Sequence, residues 1–323
     1  MNSEDRPDVA GLLSRTGRFF NDFLHTEIIP RIRRVVVAPL AEPMIYSLDA
    51  PGKRLRPVLC LWAAGIESES AGNKNKDDAA TRAALFAATA LECIHTYSLI
   101  HDDLPAMDDD DLRRGRPSCH KKYSEWAAIL AGDALNTFAF ELLGDAAREG
   151  AQPQIVPDLL RVLSEGAGRM VCGQALDLDS ERGDSAQPAL TREPAELLGE
   201  IHRKKTAALI RSSVELGAIL SGANESGRAA CRSYGENLGL LFQIADDLLD
   251  VEGESHELGK TAGKDAAAGK LTYPALFGLD GSRQRARQLH DTLREQANRL
   301  PVQSPVLVAA FRALPEFVLN RRS

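Results

Sequence analysis

Residues 80–104 run without a single glycine or proline and are dominated by alanine and leucine. A stretch of that length and composition predicts one long helix, with Asp77 and Asp78 available to cap its start. Similar patterns recur at 125–148, 154–172, 194–222, 227–252, 283–299 and 303–321. Alternating Val/Ile/Thr runs, the signature of half-buried strands, are almost absent. Polar or Gly/Pro-rich breaks fall near 48–53, 67–78, 113–118, 181–193, 221–226 and 253–271, none long enough for an interdomain linker. The expectation is an all-α helical bundle, a single domain over residues 1–323, with its acidic motifs facing a shared cavity.

A formal net charge of −7 argues against a general nucleic-acid binder or a protein held on anionic membranes. Five cysteines, an odd number with no C-x-x-C pair, suggest neither a disulfide framework nor a zinc knuckle and point to a reducing, cytoplasmic setting. The polar N-terminus MNSEDRPDVAG is unlike a signal or transit peptide. The richest apolar stretch, Ala83–Leu91, is too short to span a bilayer and is cut off by Glu92, so a soluble protein is expected.

Two clusters of aspartates stand out. The first, HDDLPAMDDDDLRRGRP at 101–117, holds Asp102, Asp103 and Asp108–Asp111. Two carboxylates about 4 Å apart repel by roughly 4 kcal/mol at an effective dielectric near 20, so such crowding calls for a cation or full solvation. The second, FQIADDLLD at 242–250, lies in an amphipathic pattern where Gln243, Asp246 and Asp250 share one helical face and Asp247 sits to its side. Hard divalent cations such as Mg2+ take oxygen ligands and are commonly shared between carboxylates and substrate phosphates. Basic groups accompany both clusters: Lys53 and Arg56 on one side of a helix start, Arg113 and Arg114 after the first cluster, and Arg203–Lys205 where a helical pattern is interrupted. Lys260, Lys264 and Lys270 follow the second. Acid paired with base in an otherwise apolar helical chain suggests phosphate clamped between Mg2+ and Arg/Lys. His95, seven residues before Asp102, shares that aspartate's helical face.

The stretch ECIHTYSLIHDDLPAMDDDDLRRGRPSCH closely resembles the first aspartate-rich region of bacterial farnesyl diphosphate synthases, in the short-chain trans-polyprenyl diphosphate synthase family. GKRLRP, GQALDLD, HRKKTAALI, FQIADDLLD and LGKTAGKDAAAGKLTYP match the family's other motifs in order, covering residues 50–275. The resemblance implies an isoprenoid-synthase helical bundle around a deep central cavity, a homodimer, and about three Mg2+ per site. It implies that Asp102, Asp108 and Asp246 ligate magnesium, with Asp103, Asp247 and Asp250 supporting. Gly52, Lys53, Arg56, His95 and Arg114 match positions that bind isopentenyl diphosphate. Arg113, Lys205, Gln243, Lys260 and Lys270 match those holding an allylic diphosphate, and Thr206 with the Lys205 carbonyl would stabilise the allylic cation.

The implied reaction is ionisation of dimethylallyl or geranyl diphosphate, attack by isopentenyl diphosphate and loss of a proton. Tyr97, five residues before Asp102, occupies the position where the family sets pocket depth and implies a C15 product, with C10 and C20 as alternatives. On an ideal helix five residues is about 140° of rotation, and Ser98 lies nearer the aspartate's face. Three rival readings remain in view. A class I terpene cyclase is disfavoured by the all-aspartate second motif, and a non-catalytic subunit of a heteromeric synthase by the presence of both motifs. A calcium-binding module leaves the lysines and arginines unexplained.

Overall fold

The computed structural model describes residues 8–67, 78–182, 192–252 and 270–320. The expectation of an all-helical chain holds. Among the described residues the only extended structure is the two-residue antiparallel pair β1 (Leu112–Arg113) and β2 (Arg116–Pro117). Two structural units emerge, each with its own packing: residues 11–163 with 216–222, and the described parts of 1–10, 164–215 and 223–323.

The first unit is assembled around the helix that the alanine-rich run foretold. In chain order it contains α1 (Val9–Phe23), α2 (Ile29–Val35), α3 (Ala38–Leu48), α4 (Leu55–Ala63), α5 (Ala79–Asp102), α6 (Cys119–Lys122) and α7 (Glu125–Asp145). Asp78 caps α5, its Oδ2 accepting the Thr81 amide at 3.1 Å and the Thr81 hydroxyl at 3.0 Å, a contribution of about 1 kcal/mol. Helix α5 is buried on nearly every side from Ala83 to Ile94 and packs on α3, α4 and α7. An all-round apolar helix is satisfied only by such enclosure. Both α5 and α7 are long and apolar enough by composition to cross a membrane, which Ala83–Leu91 alone did not suggest; 83% of the relevant window of α5 is buried within the protein, as in a core helix. The N-terminal helices, which the sequence left unread, contain Pro30, Pro39 and Pro43. The turn Leu24–Ile28 is a π-turn, and Pro30 follows inside the first turn of α2, where no amide partner is needed.

The second unit contains most of α8 (Val156–Arg182), then α9 (Pro194–His202), the start of α10 (Ala208–Leu220), α11 (Glu225–Glu252), α12 (Tyr273–Ala297) and α13 (Pro305–Leu319). Its spine is α11, packed on α9, α12 and α13. Tyr234 is fully buried, its hydroxyl donating to the Phe311 carbonyl at 2.6 Å and its ring edge-on to Phe311. The interruption read at residues 202–206 falls on a π-turn, Arg203–Ala207, which joins α9 to α10 without breaking the helix. None of the five cysteines is disulfide-bonded.

Candidate active site

The first aspartate motif is shaped by where α5 stops. Pro105 cannot continue the helix, so α5 ends at Asp102 and the chain folds back until the Asp108 amide donates to the Asp102 carbonyl at 2.9 Å. That turn brings together the two aspartates expected to bind metal. Asp103 points the other way: it is buried, and its Oδ1 accepts from Arg113 Nε at 2.9 Å and from Arg113 Nη2. Arg113 also reaches Asp110 at 3.3 Å, while Lys121 pairs with Asp111 at 2.8 Å. Asp110 and Asp111 thus have basic partners in β1 and α6.

Arg113 stands where it does because 112–117 form a tight hairpin. Its two-residue loop, Arg114-Gly115, has φ of 53° and 74°, the twist that a hairpin of this length favours and that costs a non-glycine residue strain. At its tip Arg114 donates from Nη1 to the Pro51 carbonyl at 2.7 Å. The same guanidinium occupies the space beside Gly52, where an added Cβ would lie 2.4 Å from Nη1. The close fit favours glycine at 52, since a Cβ there would displace the Arg114 head, and it puts GKRLRP in physical contact with the arginine hairpin.

A pocket open to solvent is lined by His95, Arg113, Arg114, Arg116 and Asp103, with Tyr46 on its wall. Burial, reinforced by the charges of Arg56, Arg114, Arg54 and Arg113, holds the His95 imidazole well below its usual pKa, so it is neutral in a strongly positive field. Such a field is offset by a multiply charged anion. Lys53 and Arg56 do not line this pocket, although Arg56 is near enough to act on His95 electrostatically. Helix α4 begins only at Leu55, so Lys53 precedes it rather than sharing a helical face with Arg56. Between them Arg54, which sequence reasoning passed over, takes φ 49° and buries its side chain against Glu92 at 2.6 Å and Asn21 at 2.9 Å. Of the two residues tied to product length, Tyr97 is buried and Ser98 half-buried, its hydroxyl donating to the His95 carbonyl at 2.9 Å.

The second motif divides in the same way as the first. Asp246 is exposed, Gln243 and Asp250 are half-buried, and Asp247 is turned inward at 4% exposure. Asp247 accepts Gln243 Nε2 at 3.0 Å and the Tyr273 amide at 3.0 Å. Gln243 in turn accepts the Thr206 hydroxyl at 2.8 Å, tying α11 to the π-turn. Beside it His202, its pKa lowered by burial to about 4, remains neutral 3.8 Å from Asp247. Lys205 pairs with Asp177 at 2.5 Å and Lys270 with Glu181 at 3.2 Å. The π-turn sits close because small residues face it: a Cβ on Gly173 would lie 2.2 Å from the Lys205 amide nitrogen, and one on Gly239 2.3 Å from the Ala207 Cα. Gln174, next to Gly173, is buried with neither amide atom hydrogen-bonded. Within GQALDLD, Asp177 and Gln174 are the members the sequence did not single out. Lys260, like Lys264 and the basic C-terminal residues, lies outside the described residues.

Among the described residues no three His, Cys, Asp or Glu side chains converge as a ready-made metal site. The half-buried Asp102 and Asp108, drawn together by their turn, and the exposed Asp246 offer one or two carboxylates at each motif. That donor set suits Mg2+, which keeps waters and completes its shell with substrate phosphates.

The chain belongs to the polyprenyl synthetase family, whose pattern it matches over residues 37–304. It is similar to farnesyl diphosphate synthase of Escherichia coli (strain K12), 45% identical over 292 residues that cover 88% of this chain and 89% of the relative. It is also similar to a chloroplastic geranylgeranyl pyrophosphate synthase of Catharanthus roseus, 44% identical over 289 residues, 87% of this chain and 73% of the relative. Among solved structures, a geranyltransferase from Helicobacter pylori complexed with magnesium and isoprenyl diphosphate superposes with a TM-score of 0.78 at 31% identity, covering 97% of this chain and 98% of that one.

Proposed function

We propose that this chain is a Mg2+-dependent prenyltransferase that condenses isopentenyl diphosphate with dimethylallyl or geranyl diphosphate and releases farnesyl diphosphate. The observation that carries this reading is the coupling of the aspartate turn to the arginine hairpin: residues 102–116 supply the half-buried carboxylates of Asp102 and Asp108 for a cation and three guanidiniums for an anion. Asp102, Asp108 and Asp246 are the proposed Mg2+ ligands, with Asp250 beside Asp246 and Asp103 and Asp247 holding their neighbours in place. Bound Mg2+, up to three ions, would neutralise the allylic diphosphate and improve it as a leaving group.

The chain's own residues then bind and orient. Gly52, Lys53, Arg56, His95 and Arg114 are proposed to hold isopentenyl diphosphate, and Arg113, Lys205, Gln243, Lys260 and Lys270 the allylic partner. As the C1–O bond of the allylic diphosphate breaks, the electron pair leaves with the diphosphate, and the Lys205 carbonyl and Thr206 hydroxyl face the developing cation with fixed dipoles. The double bond of isopentenyl diphosphate attacks C1, and the proton lost in forming the new double bond passes to the departing diphosphate. No side-chain nucleophile takes part, and positioning supplies most of the rate. We propose further that residues 1–323 act as one catalytic domain, a reading supported by a family match that runs through both units. A cytoplasmic homodimer is supported by the reducing-compartment cysteines and by Trp126, Ile129 and Leu130, which lie 58%, 43% and 47% exposed on one face of α7.

Single substitutions test the assignment. Asp102→Ala and Asp246→Ala should each slow turnover about a hundred-fold or more and raise the Mg2+ concentration needed, while Asp109→Ala stays near wild type. Equal tolerance of all three would remove the metal assignment.

A further inference from the structure

Tyr97 and His101 lie four residues apart on α5, about 40° from one another around the helix, and their rings meet edge to face with centroids 5.7 Å apart and planes at 80°. His101 is itself anchored on the neighbouring helix. Its Nε2 lies 3.0 Å from the Ile129 carbonyl of α7, an acceptor, so that nitrogen carries the proton and donates. The ring enters a notch that exists only because residue 132 has no side chain: a Cβ on Gly132 would lie 2.1 Å from Nε2. Asp133 flanks the same nitrogen at 3.9 Å. A tyrosine with a free edge can swing about its side-chain torsions, whereas one abutted by a tethered ring is held in a single rotamer.

We infer that His101 is a positioning residue for product length, a brace seated in the Gly132 notch that keeps the Tyr97 ring in place. The inference rests on the reading that Tyr97 limits chain growth, and its test separates the two. Purified His101→Ala, Gly132→Ala, Tyr97→Ala and His101→Ala/Tyr97→Ala proteins, each shown to be folded by circular dichroism, are given isopentenyl and geranyl diphosphates with Mg2+, and the ratio of longer products to C15 is measured. That ratio is independent of any loss in total turnover. His101→Ala and Gly132→Ala should each raise it by about five-fold, and the double variant should match Tyr97→Ala alone, because the brace acts only through the tyrosine. A wild-type ratio in either single brace variant, with Tyr97→Ala lengthening the product, overturns the brace and leaves the tyrosine's role standing. Lengthening by His101→Ala that adds to that of Tyr97→Ala also overturns it. A wild-type ratio in Tyr97→Ala overturns both.

Discussion

Asp247→Asn offers a sharp distinction between holding a metal and holding the fold. The native carboxylate is buried and accepts two N–H groups, one from Gln243 at 3.0 Å and one from the Tyr273 backbone at 3.0 Å. His202 beside it is neutral. Asparagine keeps the shape but only one acceptor oxygen, and its NH2 group must face a donor. One hydrogen bond to a charged acceptor is lost and one buried donor is stranded, a cost of about 2–3 kcal/mol. In a chain of this size that corresponds to a fall in melting temperature of about 5 °C, measured without Mg2+. The exposed Asp246, changed to Asn, should alter stability by no more than about 0.5 kcal/mol and raise the Mg2+ requirement instead. If Asp247→Asn melts like wild type while its Mg2+ dependence shifts, the division of labour within the aspartate pair is refuted.

Other perturbations have equally definite outcomes. Glu92→Gln strands Arg54, whose side chain and partner are each only 4% exposed, and should cost about 3–5 kcal/mol in urea unfolding; a cost below about 1 kcal/mol would mean the pair is not structural. Gly173→Ala forces a methyl group within 2.2 Å of the Lys205 backbone nitrogen, whereas Gly168→Ala on the same helix meets nothing within 4 Å. The former should lose about 1–3 kcal/mol and turnover with it, the latter neither, and equal behaviour would contradict the tight seating of the π-turn. His95 has a native pKa below its unfolded value near 6.5, so between the two the unfolded chain binds more protons and stability rises with pH. Stability should therefore be fully present above about 6.5 and decline as acid drives the pH toward the lowered native value. His95→Gln should flatten that limb of the denaturation profile, and an unchanged limb would exclude the imidazole as its source.

Much of this arrangement can be read from residue order alone. The alanine-rich run marks α5 to within two residues of each end, and i, i+3, i+7 spacing places Gln243, Asp246 and Asp250 on one face of α11. Glycines in GKRLRP and GQALDLD announce close approaches, without naming what approaches. What stays hidden is decided by distant partners. Asp102 and Asp103 are chemically identical neighbours, and only the hairpin that delivers Arg113 turns one inward. Asp247 is selected by the Tyr273 amide, 26 residues away. Arg54 reads as one more surface cation until Glu92 and Asn21 close around it. The N-terminal helices escape notice because prolines that usually stop helices sit here in first turns, where no amide is missed, or are carried inside α3 as Pro43 is. The lysine interruption reads as a break because a π-turn's extra residue puts the apolar rhythm out of phase, although the helix continues.

The central claim is chain elongation, and it is tested most directly by sizing what the purified protein makes. Supplied with Mg2+, isopentenyl diphosphate and either dimethylallyl or geranyl diphosphate, the enzyme should accumulate a C15 diphosphate from both allylic partners, and chelation should stop it. Failure to extend either partner would contradict the synthase reading outright.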